Sequence, residues 1–340
     1  MESILKRMAV LLLASILLFP SCSRRGGEEP APEENGKSAD ALIAEIYARE
    51  ADVVVNGVPY AKKKDLSAYL LMGIDKRGDL ESTNQSIGGQ CDVLLLLVVD
   101  EEDQRRTVLQ IDRDTITDVE ILDAHGGRIG SGITKKQQIC FAHTYGTGDE
   151  KSCENAVRAV SGLLGLYGDL EIDGYMALLY EAIPGLNDTV GGIRVKIEDD
   201  FPSDPTLVKG EEVELVGQHA LNFVRGRMSV SDGTNANRMK RQRAYLNAFG
   251  DRVKEEMHGN SGIINELYET AGPYMVTDIT SGALVSIAAT AFSCDNGGIV
   301  TIDGETKYVV YANGNTYAEF YPDENDLSEK ILSLFYTRID

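Results

Sequence analysis

The sequence is short of positive charge: 33 lysines and arginines stand against 54 aspartates and glutamates, a formal net charge of −21 over 340 residues. A surface this acidic excludes a protein that coats nucleic acid or anionic lipid with its whole face. No CxxC pair occurs, which argues against a cysteine-rich zinc site. The four histidines (His125, His143, His219, His258) are scattered and form no HExxH, so a histidine-based metallohydrolase is not indicated. A GxxxxGK[ST] loop is also absent, and with it a P-loop nucleotide site. The apolar run at the N-terminus, Met8 to Phe19, has only twelve residues, broken by Ser15. As a helix it rises about 18 Å, well short of the ~30 Å hydrocarbon core of a bilayer.

What that N-terminus does contain reads as an export signal. Lys6 and Arg7 precede the apolar run and small residues follow it. Pro20-Ser21-Cys22 resembles the lipobox of bacterial lipoproteins, whose cysteine is acylated and becomes residue one, although Phe19 stands where leucine is usual and Pro20 is uncommon there. Residues 1–22 are therefore taken as a signal of lipoprotein type. Residues 23–60 form a tether and entry segment, with Pro30, Pro32 and four glutamates before Asp40. Cys91, Cys140, Cys153 and Cys294 remain in the exported chain, enough for two disulfides whose pairing the spacing does not give.

Apolar content of 43% and charged content of 26% suit a folded α/β domain with a large core. Strands are expected at Ala68–Ile74, Val93–Val99 and Arg106–Ile111, and a helix after Asp149 in which Val157, Val160 and Leu164 recur at helical spacing. Tyr175–Ile183 reads as a short helix stopped by Pro184. Ile193, Val195 and Ile197 alternate as a strand, and helices follow at Gln218–Val224 and about Asn235–Lys254. Strand-like segments at Ile299–Ile302 and Tyr308–Tyr311 precede a last helix carrying Leu327, Ile331, Leu334 and Phe335. Strands alternating with helices suggest a layered α/β domain over 61–258, with a small α+β extension over 259–340.

Asp75, Asp92 and Arg113 fall at the ends of expected strands, where the crevice of an α/β sheet opens. Two carboxylates there suit Mg²⁺, a hard ion that shares ligands with substrate phosphates. Taken singly, each also fits a turn residue that satisfies backbone donors. Between Phe223 and Arg243 lie six basic residues (Arg225, Arg227, Arg238, Lys240, Arg241, Arg243) and one acid, Asp232, leaving 27 basic against 53 acidic residues elsewhere. Arg238, Arg241 and Gln242 lie at i, i+3 and i+4 and so share a helix face. A solvated charged face normally mixes both signs, whereas arginine forks without neighbouring acids match phosphate or pyrophosphate oxygens.

In order along the chain, Leu70-Leu71-Met72-Gly73-Ile74-Asp75-Lys76-Arg77, Cys91-Asp92-Val93, Ile111-Asp112-Arg113-Asp114-Thr115, Ala142-His143-Thr144-Tyr145-Gly146, Gly191-Gly192, Ala220-Leu221-Asn222-Phe223-Val224-Arg225-Gly226-Arg227 and Arg238-Met239-Lys240-Arg241-Gln242 resemble the motifs of the LytR-CpsA-Psr family. The resemblance covers roughly Ser67 to Lys254. It implies a central mixed β-sheet flanked by helices. It also implies an extracytoplasmic phosphotransferase that moves a glycopolymer, teichoic acid or capsular polysaccharide, from a polyprenyl-pyrophosphate carrier to a sugar hydroxyl of peptidoglycan. By motif, Asp75 and Asp92 fall on the Mg²⁺-associated aspartates. Arg113, Arg225, Arg227 and Arg238 fall on the pyrophosphate-binding arginines, joined by Arg77, Arg241 and Gln242. Two departures stand out: Gln90-Cys91-Asp92 replaces Arg-Ser-Asp, and Asn235 stands where the family often has an aspartate. An amide cannot act as a base. Asn235 is then left to orient the acceptor, while Asp232 serves either as the proton acceptor or as a turn residue. Partners on this reading are the lipid-linked glycopolymer, peptidoglycan and the outer face of the membrane, with no nucleic acid. A non-catalytic exported module that holds such glycans, and an ordinary solute-binding lipoprotein, are the alternatives.

Acylation is directly testable. Metabolic labelling with a fatty-acid analogue is expected to tag the wild type and to be lost in Cys22→Ala. A chain that remains membrane-bound and unlabelled in both forms would mean an uncleaved N-terminal anchor.

Overall fold

The computed structural model describes residues 51–75, 88–123, 125–226, 230–260, 262–280 and 293–339, with scattered positions between 281 and 292. The export signal and three of the expected functional residues, Cys22, Arg77 and Arg227, lie outside the described residues. No described helix is long and apolar enough to cross a membrane.

The fold is built on a long apolar strand. Two short strands, β1 (Val53–Val55) and β2 (Val58–Lys62), lead into β3 (Leu66–Asp75), which pairs antiparallel with β4 (Gln90–Asp100). Along β4, Leu94, Leu96 and Val98 face one layer while Leu95, Leu97 and Val99 face the other. A strand covered on both sides has no polar face, which is why Val93–Val99 reads as an unbroken apolar run rather than an alternation. β5 (Arg105–Ile111) pairs antiparallel on the far side of β4. A hairpin of β6 (Ile116–Leu122) and β7 (Arg128–Gln138) and a 3₁₀ turn (Ile139–Thr144) lead to α1 (Glu150–Leu164), capped by Asp149. β8 (Gly174–Leu179) then returns parallel to β3.

The helix expected over Tyr175–Ile183 is thus mostly strand. α2 runs Ala182–Thr189, with Pro184 inside its first turn. Proline is tolerated there because the first N–H groups of a helix have no helical acceptor to lose, so Pro184 opens the helix instead of ending it. After the hairpin β9 (Ile193–Lys196) and β10 (Glu212–Leu215) come α3 (Gln218–Arg225), α4 (Asn235–Gly259) and α5 (Ile263–Ala271). β11 (Met275–Thr277) joins the sheet beside β8, and β12 (Asp295–Thr301) joins it parallel to β5. The sheet order is therefore β11-β8-β3-β4-β5-β12, a mixed sheet whose two edges both come from the segment beyond residue 259. The hairpin β13 (Gly304–Val310) and β14 (Thr316–Pro322), α6 (Glu324–Phe335) and β15 (Tyr336–Arg338), which pairs with β2, close the chain.

Helices cover both faces. Ile183, Leu186, Phe223, Tyr245, Phe249, Val253 and Leu267 pack from α2–α5 on one side. Cys153, Ala156, Val160, Ile331 and Phe335 pack from α1 and α6 on the other. The mixed α/β architecture agrees with the expected fold class. The disulfides do not: Cys91, Cys140, Cys153 and Cys294 are all buried free thiols. They fill the core as small apolar residues, and burial pushes the thiols of Cys140 and Cys153 up to about 12. The melting temperature is accordingly expected to be the same with and without a strong thiol reductant. A drop of several degrees on reduction would show a bond that this fold does not contain.

Candidate active site

The end of β4 is irregular where the chemistry lies. Gly73 stands opposite Val93 and Ile74 opposite Cys91, so Asp92 is the extra residue of a β-bulge. A bulge re-aims the side chain it adds. Cys91 consequently packs with Leu94 and Leu96 on the α1 side, where strict alternation would not put it. Asp92 is turned toward α4 and is buried there.

Two guanidiniums hold it. Arg113, just after β5, donates from Nη1 to Asp92 Oδ1, and Arg238 of α4 donates from Nη1 to Oδ2 at 2.8 Å. All three side chains are less than a tenth exposed. Charges at that depth persist only when paired, because removing either partner leaves the other desolvated and unanswered. Arg113 Nη2 also donates to Gln90 Oε1 at 2.7 Å and to Cys140 Sγ at 3.0 Å. Arg238 Nη2 and Nε donate to Asn235 Oδ1 at 2.6 and 3.2 Å. Asn235 Nδ2 in turn donates to Asp112 Oδ1 at 2.6 Å, and the same oxygen accepts the Asp114 N–H at 2.8 Å. A continuous hydrogen-bonded row thus runs Arg113–Asp92–Arg238–Asn235–Asp112. At the end of β3, Asp75 Oδ1 accepts from Arg225 Nη2 at 2.6 Å, and this guanidinium is about a third exposed.

Not every expected residue joins the row. Arg241 donates to Asp199 at 2.6 Å and to the carbonyls of Phe223 and Gly226, with its guanidinium 5.5 Å from the centre of the Phe201 ring. It ties α4 to the end of α3 and so fixes the segment carrying Arg225. Asp232 is exposed, and its Oδ1 accepts from the N–H and hydroxyl of Thr234 and from Asn237 Nδ2, all within 2.9 Å. Those bonds hold its carboxyl below the usual range. Asp232 shapes the entry to α4, where Thr234 caps the helix.

The acid brought to Asn235 is Asp112, which sequence reasoning passed over. Burial, and then the neighbouring Asp114, push its carboxyl up to about 6, against the pull of Asn235 and Arg238. The signal was in plain view as three charged residues in a row, Asp112-Arg113-Asp114, at the end of a buried strand.

Gln242, one turn beyond Arg238, joins this polar row to an apolar cavity. The cavity measures about 160 Å³ and lies between the sheet and α2–α4, walled by Leu71, Val93, Met176, Ile183, Tyr245 and Phe249, with Gly73 and Tyr180 among its other lining residues. Gln242 Nε2 lies 3.4 Å from the Tyr180 hydroxyl, while its Oε1 is buried and has no partner among the described residues.

Comparison with known proteins places this architecture. The profile of the LytR_cpsA_psr family matches residues 34–332. The chain belongs to that family. Within it, a Halalkalibacterium halodurans protein named polyisoprenyl-teichoic acid–peptidoglycan teichoic acid transferase TagU is 26% identical over 236 residues, covering 68% of this chain and 64% of that protein. A Bacillus mycoides protein of the same name is 26% identical over 195 residues, covering 57% and 55%. The chain thus spans somewhat over half the length of these curated relatives. The crystal structure of B. subtilis TagV superposes with a TM-score of 0.58 at 24% identity, over 80% of this chain and 96% of that one. The Streptococcus agalactiae protein gbs0355 gives a TM-score of 0.59 at 19% identity, over 79% and 87%. These likenesses establish the LytR_cpsA_psr fold.

The raised carboxyl of Asp112 has a measurable consequence. Its value of about 6 in the fold exceeds the ordinary 3.8, so the folded chain holds this proton more tightly than the unfolded chain does. The cost of ionising it is absent below about pH 4, grows between pH 4 and 6, and is complete above. Asp112→Asn keeps an acceptor for Asn235 and for the Asp114 N–H but carries no charge. It is expected to be more stable than the wild type at pH 8, by about 1–3 kcal/mol, with the difference vanishing near pH 4. A variant less stable than the wild type at pH 8 would contradict this account.

Proposed function

We propose that the protein is an extracytoplasmic phosphotransferase that moves a glycopolymer from a polyprenyl-pyrophosphate carrier to a sugar hydroxyl of peptidoglycan. The observation that carries this reading is the junction at Gln242, where an apolar cavity meets a buried arginine row. A lipid pyrophosphate needs both environments side by side. The names of the TagU relatives supply the substrate class, with teichoic acid the nearer analogy and capsular polysaccharide an alternative glycopolymer.

In this mechanism Arg113 and Arg238, preorganised by Asp92 and Asn235, and the more accessible Arg225 receive the pyrophosphate oxygens. They are aimed where charge builds on the departing polyprenyl phosphate, and phosphoryl transfer depends mainly on such positioning and charge stabilisation. Each guanidinium keeps N–H groups beyond those donated to protein. Mg²⁺ is the ion this reading adds; among the described residues no group of three histidine, cysteine or carboxylate side chains is arranged to hold a metal unaided. An ion here would have to share Asp75 with Arg225, or displace a guanidinium from Asp92, and would take its other ligands from substrate phosphate oxygens and water. The cavity, at about 160 Å³, has room for the first part of a prenyl chain. Export and the Cys22 acyl chain would hold the domain beside the membrane that supplies this donor.

Purified full-length protein, a synthetic polyprenyl-pyrophosphoryl disaccharide, peptidoglycan fragments and Mg²⁺ test the reading. Protein-dependent release of polyprenyl phosphate is expected, with loss on chelation of the metal. Arg238→Ala should weaken donor binding by about 10–100-fold, the equivalent of one charge-assisted hydrogen bond. Tight donor binding with no release under any condition would instead favour a non-catalytic glycan-binding module.

A further inference from the structure

We infer that Asp112 is the proton acceptor for the attacking sugar hydroxyl, supplying from the end of β5 the carboxylate that position 235 lacks. The inference rests on the transferase reading above and goes beyond it by naming the base. Its ground is the contact between the two side chains: Asn235 Nδ2 meets Asp112 Oδ1 at 2.6 Å, although the residues are 123 positions apart. α4 presents an amide to this end of the row, and an acid stands at the far end of that amide's hydrogen bond.

The other carboxylates nearby are committed. Asp92 has a guanidinium on each oxygen. Asp114 is buried, with Oδ1 taken by Gln138 Nε2 at 3.0 Å and Arg113 Nε 3.3 Å away. Asp75 is paired with Arg225, and Asp232 is bound within its own turn. Asp112 is set apart by its place and its charge: it is the one of these carboxylates bonded to Asn235, and its carboxyl is raised where that of Asp232 is lowered. Both of its side-chain hydrogen bonds fall on Oδ1, no described donor meets Oδ2, and the side chain is partly exposed. The charged groups that face it are Asp114 on its own turn and Arg238 from α4; burial and Asp114 raise its carboxyl toward neutrality and Arg238 opposes them. A base is most effective when its pKa lies near the working pH.

The step balances simply. The acceptor hydroxyl oxygen attacks the phosphorus that bears the glycopolymer, and its proton passes to Asp112 Oδ2. The bond from that phosphorus to the bridging oxygen breaks, and polyprenyl phosphate leaves with the electron pair. The glycopolymer is then joined to the acceptor through a phosphodiester, and Asp112 returns its proton to water.

Asp112 also holds a turn, accepting the Asp114 N–H and, through its carbonyl, the Thr115 N–H, so the experiment must separate the two roles. In the release assay with the synthetic polyprenyl-pyrophosphoryl disaccharide, Asp112→Asn keeps the turn acceptor and is expected to lower kcat by about 10²–10⁴-fold, with donor Kd little changed. The wild-type decline in kcat below about pH 6 should disappear in the residual activity. The double variant Asp112→Asn with Asn235→Asp moves the carboxylate to the other end of the same hydrogen bond and should recover at least tenfold. Asn235→Asp alone opposes two carboxylates, and its acid limb should move to higher pH. Wild-type kcat in Asp112→Asn overturns the proposal. So does a loss that keeps the acid limb and is not recovered in the double variant, which would assign Asp112 to the turn alone. A wild type that binds the donor and releases nothing at any pH removes the transferase reading itself, and the base with it.

Discussion

The buried carboxylate of Asp92, gripped by one guanidinium from the end of β5 and another from α4, is the constraint on which the remaining site geometry rests. Taking a charge out of water costs several kcal/mol unless it is fully answered. The three residues therefore fix one another: the bulge in β4 sets the carboxylate, the carboxylate sets both arginines, and Arg238 sets Asn235 and through it Asp112. On the proposed function, a pyrophosphate entering this row would meet donors whose orientation has already been settled by folding. Little reorganisation is then left for the moment of reaction, the condition under which electrostatic stabilisation of a transition state is most effective.

The acidity of the chain has a local counterpart. Asp75, Asp92, Asp112 and Asp114 sit among Arg113, Arg225 and Arg238, so the described part of the site is not an open positive patch. On the proposed function, affinity for a polyanion would come from directed donors and from the apolar cavity, with any ion arriving with the substrate. On that reading the arrangement would favour ligands that carry pyrophosphate and a hydrocarbon tail together over free phosphate. It is a form of discrimination, since a ligand lacking either part meets carboxylates without the compensating contacts.

Much of this was legible in the chain. The apolar run of β4 announced a strand, and Asp75, Asp92 and Arg113 were expected at strand ends, with Arg225 and Arg238 on the helices that meet them. What escaped was whatever depended on distance in space. Tyr175–Leu179 reads as helical by spacing but becomes a strand because β3 offers it a parallel neighbour. The exposed strand β7 has no apolar alternation to announce it. One edge of the sheet, β11, is only three residues long and gave no signal, while the glycine-broken β12 was expected only in its second half, Ile299–Ile302.

The clearest case is the base. Proximity in sequence favours Asp232, three residues before Asn235, yet its Oδ1 is taken by its own turn and those bonds hold the carboxyl low. Proximity in space favours Asp112, which no spacing rule connects to α4 because the two elements meet only through the tertiary fold. The same burial that makes Asp112 costly to ionise makes it basic enough to accept a proton near neutrality. A carboxylate chosen for stability alone would sit, like Asp92, between two cations. One left half-answered at the mouth of a buried arginine row costs the fold something, and the two packed layers of the sheet are what allow it to stand.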